Sequence, residues 1–582
     1  MTHIAIIIYI ELSSADKRKN QNRIFLTQTE NIHSFVRMRK QLIVIVSNIV
    51  LLVCIQPTIG QSLYQPYSHA FYQKLSPVLY SPDTRLHTAF KPMIMDSTLA
   101  TDFNNIVNLH GDHRTSWGGR KLWQEHLIEL DYGKNTFYAD LLPDFQMGRS
   151  TREDKSIWIF SKGIQIGGKI GEKWAFQANY FHNQAQFADY INDYVEQHGV
   201  VPGEAGTVRN NGSQRRWSNA TANLSFTPIH YLNISLAYDK NFIGDGYRSL
   251  LLSDVSANYL SLKLTGTLGN VQYVSLLSYM RDPFATTFEN TVSLSEVPNN
   301  GTGANRFKWG AFQYLDWNIT NRFSAGFFQS VIWAPKNSAG RRGFDFNYIS
   351  PLIFLRSVEL TNTSSPDKMH LGINTKYKIL DNMVVYGQFL LGELTIRQLF
   401  AGNGYLHNKF GIQLGARGHD LFGIKKLNYL GEFNTVRPYT YQHFTPITAY
   451  TNYSQPLAHP LGANFREGIA LLNYSFLSFD FQAQGVWAMY GADPDANTNY
   501  GGDIFKYYTQ YPSEFGNTIG QGVNTHLVYL GFKAAYLLNP KYNLRIELAA
   551  TNRRASDIGS TNNTSLFSIG LRSSFRNQYH DF

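Results

Sequence analysis

The 582-residue sequence predicts an all-β fold: a transmembrane antiparallel β-barrel of about 16–18 strands, preceded by a short helical or irregular segment. Three observations predict it. From about residue 120 onward, apolar and polar residues alternate with period two, as a wall between lipid and a wet lumen requires. Aromatic residues make up 14% of the chain and charged residues only 16%, with 46 Gly and 36 Tyr, a balance rich in girdle and turn residues and poor in solvated helix faces. Past residue 60 there is no apolar stretch of the roughly 20 residues that a spanning helix needs, so any span there is made of strands.

Residues 1–60 read as an extension followed by a signal peptide. Arg37, Arg39 and Lys40 form a basic flank, Leu42 to Ile55 an apolar run too short to span, and Thr58-Ile59-Gly60 a small-residue cleavage site before Gln61. Met38 is the expected biological start and Gly60 the expected end of the exported leader. The one cysteine, Cys54, lies in that leader, so a mature chain has no disulfide and no cysteine-based metal site. Seven of the basic and three of the acidic residues fall in 1–60, which leaves +6 of the +10 net charge on residues 61–582. That balance suits anionic lipopolysaccharide or acidic glycan, and equally a scatter of solvated charge. No basic run interleaved with aromatics points to nucleic acid.

Residues 61–115 differ in character. Pro66, Pro77, Pro82 and Pro92 punctuate stretches that hold a helical turn or two, so a periplasmic piece or plug is expected, with an extended tail as the other reading. Residues 116–582 are the expected barrel. Leu232, Ile234 and Leu236 alternate with Asn233, Ser235 and Ala237; Leu260, Leu262 and Leu264 with Ser261, Lys263 and Thr265. Leu371, Ile373 and Tyr377 alternate with Gly372, Asn374, Lys376 and Lys378; Phe410, Ile412 and Leu414 with Gly411, Gln413 and Arg417. The last segment sets Phe567, Ile569, Leu571 and Phe575 against Ser568, Gly570, Arg572 and Ser574. A strand-middle Lys or Arg is costly against lipid, so these cations are expected to point inward. Turn clusters such as Asn299-Asn300-Gly301 and Asp493-Pro494-Asp495 separate the segments. They range from tight to long, the asymmetry of a barrel with short periplasmic turns and longer outer loops. A soluble sandwich array or propeller also alternates, but no internal repeat supports one. Phe582 provides the terminal aromatic typical of chains handed to the outer-membrane insertion machinery, which makes the outer membrane of a Gram-negative bacterium the expected location.

One stretch is too specific to be wall alone: Asn241-Phe242-Ile243-Gly244-Asp245-Gly246-Tyr247-Arg248, continuing through Asp254. Gly244 and Gly246 permit positive φ or a close backbone approach, and Asp245 and Arg248 are expected to satisfy each other at a bend or to contact a ligand. A second candidate lies at 436–441 and 455–464, expected together at one rim and flanking His443 and Tyr450. Arg437 provides a planar donor fork, Tyr439 an aromatic face, and His443 and His459 polar rings, on backbone stiffened by Pro438, Pro456 and Pro460. In the alternative reading the prolines end strands and Arg437 pairs with Glu432. His110-Gly111-Asp112-His113 could gather a metal, but its spacing matches no known zinc motif and a polar turn explains it better. No nucleophile elbow, phosphate loop, dinucleotide fingerprint or His-Glu-x-x-His occurs, so no enzyme and no cofactor is expected.

The 241–254 stretch resembles the Wzi family of outer-membrane capsule-assembly proteins, and within it the gliding-motility proteins of the RemB type in Bacteroidetes. Phe344-Asp345-Phe346-Asn347-Tyr348, Tyr386-Gly387-Gln388-Phe389, Asn408-Lys409-Phe410-Gly411, Val436-Arg437-Pro438-Tyr439 and Gln455-Pro456-Leu457-Ala458-His459-Pro460 carry the resemblance in the same order. It covers most of residues 235–470. The resemblance implies a closed barrel with a periplasmic helical plug, attaching capsular polysaccharide to the surface or serving gliding or adhesion with gliding-machinery proteins. The leading expectation is thus a non-catalytic barrel that binds surface polysaccharide or lipopolysaccharide. The alternative is a porin-type diffusion channel, and the proline-punctuated segment is the feature that separates the two.

Overall fold

The computed structural model describes residues 63–582 apart from 96, 110–113, 153, 284–306, 338–339, 342, 350–366 and 508–509. The expected start, the leader and its cleavage point, the segment 110–113 and the turn at 299–303 lie outside the described residues.

Eighteen antiparallel strands close into one barrel, the upper end of the expected range. In chain order they are β1 (Asn135–Ser150), β2 (Lys155–Ile170), β3 (Trp174–Gln186), β4 (Gln214–Ile229), β5 (Leu232–Asp239), β6 (Tyr259–Leu268), β7 (Val271–Arg281), β8 (Phe307–Asn318) and β9 (Phe323–Trp333). There follow β10 (Lys368–Leu380), β11 (Met383–Glu393), β12 (Lys409–Gly418), β13 (Leu427–Val436), β14 (Phe465–Phe476), β15 (Phe479–Ala492), β16 (Val523–Asn539), β17 (Leu544–Ser556) and β18 (Thr561–Ser573). Each strand pairs with its sequence neighbours, and β18 closes the ring by pairing Leu566–Leu571 with Ser150–Phe145 of β1. The wall begins later than residue 116, after a helix at Trp117–Trp123 and a short strand at Ile128–Tyr132 that forms a hairpin with β1.

Connections sort by rim. On one side they are tight, as at 230–231, 269–270, 381–382 and 477–478, and 419–426 is the longest. The opposite rim has two short turns, 151–154 and 557–560, but otherwise long loops, including 187–213, 240–258, 394–408, 437–464 and 493–522. The expected faces hold in the wall. Leu236, Leu260, Ile373, Leu414 and Ile569 are exposed outward, while Asn233, Lys263, Lys376, Lys378, Arg417 and Arg572 are buried inward. Lys162 breaks the rule: it stands on the outward face of β2, with its ammonium 5.4 Å from the Phe160 ring centroid. A long apolar stem and an aromatic neighbour let such a charge snorkel. Near the short-turn rim the outward face carries an aromatic girdle, with Trp174 stacked on Phe226 at 4.2 Å and Phe479 edge-on to Tyr536 at 4.9 Å.

The lumen is filled from the short-turn side by the N-terminal segment. Its helices α1 (His69–Lys74), α2 (Ser76–Leu79) and α3 (Ser97–Val107) bury Phe71, Tyr72, Leu75, Leu79 and Phe103 in a common cluster with Phe242 and Val384. Polar wall groups near that rim hold it: Lys74 pairs with Asp480 at 2.7 Å, His87 meets Asp316 at 2.7 Å, and Lys378 donates to the carbonyls of Ser81 and Thr84. The chain end is a second filler. After β18 the backbone leaves the wall, so Phe575 packs inside against Phe71 rather than facing lipid. Phe582, the terminal aromatic, lies against Tyr194 at 5.1 Å while its carbonyl accepts from Arg553.

Such a closed β-wall with an apolar exterior resists detergent until heated. The purified protein is expected to show heat-modifiable migration and a β-dominated circular dichroism spectrum; a soluble, mostly helical protein would contradict the fold.

Candidate functional site

The loop 240–258 dives from the long-loop rim into the lumen, and its sequence is explained by what closes around it. Gly244 has φ +149, and a Cβ there would run into the Gln388 amide. At Gly246 a Cβ would collide with the carboxylate of Glu432 on β13. That carboxylate accepts the backbone N–H groups of Tyr247 at 2.9 Å and Arg248 at 3.0 Å, with Tyr386 Oη at 2.8 Å and Asn434 Nδ2 at 2.9 Å. Gln388 clamps the other flank, accepting from Leu250 N–H at 2.9 Å and donating to the Ile243 carbonyl at 2.9 Å. Phe242–Ile243 adds two residues of sheet to Phe90–Lys91 of the N-terminal segment.

Asp245 and Arg248, expected to pair with each other, point to different partners. Asp245 accepts from Thr88 at 2.6 Å and Tyr80 at 3.1 Å of the N-terminal segment, and its carbonyl accepts from Arg417 at 2.7 Å. Burial alone would raise its carboxyl pKa, but Lys376, Lys91 and Arg417 with the Thr88 hydrogen bond bring it down to about 2. Arg248 is fully buried and pairs with Glu467 at 3.3 Å and Asp581 at 3.1 Å, with Tyr247 and Tyr579 flanking its guanidinium. His459 reaches the same acid: Nε2 lies 2.7 Å from Glu467, and the N–H of Leu461 donates to Nδ1 at 3.2 Å. The proton therefore sits on Nε2, and burial, opposed by Glu467, pushes the pKa of this imidazole down. Glu467 thus joins two of the candidate residues. Asp581 ties in the chain end through Tyr247 Oη at 2.9 Å, and Asp254 accepts from Tyr579 and Asn577.

The segments 436–441 and 455–464 do flank one folded-in loop. Tyr441 Oη donates to the Leu250 carbonyl at 2.8 Å, Tyr450 Oη to the Leu251 carbonyl at 2.5 Å, and the Leu457 carbonyl accepts from Ser253. Tyr439 is buried with φ +66 and donates to the Asn499 carbonyl at 2.8 Å. His443 is buried against Thr448 at 2.6 Å, with burial lowering its pKa well below the usual value. Arg437 is half-buried and does not pair with Glu432; it donates to the carbonyls of Asn408 at 2.7 Å and Tyr405 at 3.3 Å, pinning the loop 394–408. Beside it stands a group the sequence did not single out. Tyr405 lies 5.4 Å from the Phe515 ring and 5.2 Å from His407, the Leu406 N–H donates to the Glu514 carbonyl, and the short helix Ile396–Ala401 leaves Phe400 85% exposed. Among the described residues no group of three His, Cys, Asp or Glu side chains could hold a metal ion.

Removing one partner of a buried ion pair leaves the other charge uncompensated, at a cost of about 3–5 kcal/mol. Glu467→Ala is therefore expected to lower the thermal midpoint of the folded barrel steeply, while Arg466→Ala on the outward face of the same strand leaves it nearly unchanged; equal effects would mean that Glu467 does not hold the interior together. Asp245 has a depressed folded pKa, so its stabilisation is complete above the ordinary carboxylate value and is lost as pH falls through about 2. An acid titration should show this loss in the native protein and not in Asp245→Asn.

No family model and no curated protein matches the chain. Among solved structures it is similar to Wzi of Escherichia coli, described as an outer-membrane protein involved in group 1 capsule assembly and a carbohydrate-binding β-barrel, with a TM-score of 0.51 and 13% identity over 88% of this chain and 100% of that one. Pseudomonas aeruginosa OprD aligns with a TM-score of 0.39 and 9% identity over 75% of this chain and 94% of that one. Acinetobacter baumannii OccAB2 aligns at 0.38 and 9%, over 75% and 97%. The likeness to Wzi is one of fold: the chain is a β-barrel of the Gram-negative outer-membrane kind.

Proposed function

We propose that this chain is a non-catalytic outer-membrane barrel that binds or assembles surface polysaccharide at its long-loop rim, with gliding or adhesion as a closely related role. The observation that carries the reading is the rim group of Tyr405, His407 and Phe515, held on two loops that hydrogen-bond to each other and pinned by Arg437. Sugar rings present flat C–H faces and outward hydroxyls, so they suit aromatic faces next to polar rings and guanidinium groups. A platform fixed before binding loses little entropy on contact. The fold likeness, over 88% of this chain, to a barrel described as carbohydrate-binding supports the same class of ligand.

The six residues expected to contact ligand take different parts in this reading. Arg437 is a rim residue with access to solvent. Asp245, Arg248, Tyr439, His443 and His459 are buried and act by holding the loops that shape the rim. The narrower likeness to gliding proteins of the RemB type, lipopolysaccharide or gliding-machinery proteins as partners, and periplasmic placement of the N-terminal segment belong to this proposal too. Filling of the lumen by that segment, loop 240–258 and the chain end favours a binding role over wide diffusion.

Truncating a central aromatic anchor commonly costs about 2 kcal/mol or more of binding, roughly thirtyfold. Tyr405→Ala and Phe515→Ala should each weaken retention of capsular polysaccharide by the folded barrel about tenfold or more, with heat-modifiability unchanged. Retention equal to the native protein in both variants would remove the rim from the proposal.

A further inference from the structure

Inside the barrel, one cavity of about 290 Å³ lies between α1, the chain end at 576–581 and the inner faces of β14 to β18 and β1. Its wall is ordered by strand register. Asn473 pairs with Gln482, Gln482 with Lys533, Lys533 with Ala549, and Ala549 with Ser568, so these five side chains form one row across five strands, all lining the cavity. Neighbouring strands are about 4.8 Å apart, which sets the spacing along the row. Ala549, the smallest, leaves room beside the lysine.

Lys533 faces the lumen, where it is exposed to the cavity, and has neither a hydrogen bond nor an ion pair among the described residues. Glu547, diagonal to it on β17, is taken by Arg545 at 2.8 Å and Arg572 at 3.5 Å. The other two lining acids are also engaged, Asp480 by Lys74 and Asp581 by Arg248. Of the five Lys and Arg side chains that line the cavity, Lys74, Arg545, Arg572 and Arg576 are each paired with an acid, the last two with Asp144 behind the lining, and Lys533 is not. Along the row, Gln482 donates to Asn473 Oδ1 at 3.1 Å, which fixes the amide and leaves its buried Nδ2 without a partner. A lumen-facing ammonium without a protein counter-charge is free to pair with an anion that enters the cavity, and inside the barrel such a pair is less screened than at an open surface. The cavity has the room, an unpaired ammonium and an unused N–H donor in the same row.

We propose that this cavity is an anion site in which Lys533 pairs with a carboxylate or phosphate, with Asn473 and Ser568 hydrogen-bonding the same ligand. The ligand class is a small anion, either free phosphate or the carboxylate of a uronic acid. The site is separate from the rim, and the polysaccharide reading stands or falls without it.

A ligand that binds only the folded state raises its thermal midpoint in a saturable way. The purified barrel should be melted at constant ionic strength against sodium phosphate, sodium glucuronate or sodium chloride. A saturable rise with phosphate or with glucuronate, absent with chloride and lost in Lys533→Gln, is the expected result, and the anion that produces it identifies the source. An equal rise in Lys533→Gln, or no rise with either anion, would overturn the site. If Lys533→Gln fails to fold, acetylation of Lys533 in the native protein, read by mass spectrometry, serves instead. The stabilising anion should slow it at least tenfold, and an unchanged rate would overturn the proposal.

Discussion

The interior of this barrel is organised around one carboxylate accepting two successive backbone N–H groups, Glu432 on those of Tyr247 and Arg248. An eighteen-stranded wall on its own encloses a wide aqueous space. Here the space is occupied by three segments from distant parts of the chain, and each meets the turn that Glu432 fixes. Asp245 just before it reaches the N-terminal segment, Arg248 just after it reaches the chain end, and Leu250 and Leu251 accept the tyrosines of loop 437–464. Glycine at 246 is the condition for this, because any side chain would displace the carboxylate.

The arrangement also explains how so many charged groups sit inside the barrel. Buried ions are tolerated when paired and hydrogen-bonded. Arg248, Glu467 and His459 form such a chain, as do Arg572 and Arg576 around Asp144. Lys533, exposed to its cavity, has no such partner among the described residues, and this is the basis of the proposed anion site. In the proposed reading, recognition of large molecules falls to the outer loops, and the rim near Tyr405 is the part of them that combines exposure with rigidity.

The wall was legible in the sequence because lipid outside and polar contacts inside impose period two on every strand. Lys263, Lys376 and Arg417 could be turned inward from that rule alone, and loop lengths separated the rims. The same alternation, extended from cations to acids, places Glu432 and Glu467 on the lumen face of their strands. The partnerships were not legible: Glu432 and Tyr247 are 185 positions apart, and Arg248 and Asp581 333. Residue type did not reveal burial at the rim. Tyr439, His443 and His459 have the chemistry of sugar contacts, but a loop that folds inward buries them, whereas Tyr405 and Phe515 meet only because two loops pair. Lys162 and Phe575 show the limit of periodicity, which cannot register a snorkelling stem or the residue at which a strand leaves the wall.

If the turn fixed by Glu432 holds the lumen shut, conductance of single folded barrels in a planar bilayer reads that closure most directly. The native protein is predicted to show no long-lived steps of the size of an unplugged eighteen-stranded pore, while Glu432→Ala, which frees the turn, admits transient large openings. Steady porin-sized steps from the native protein would contradict a lumen closed in this way.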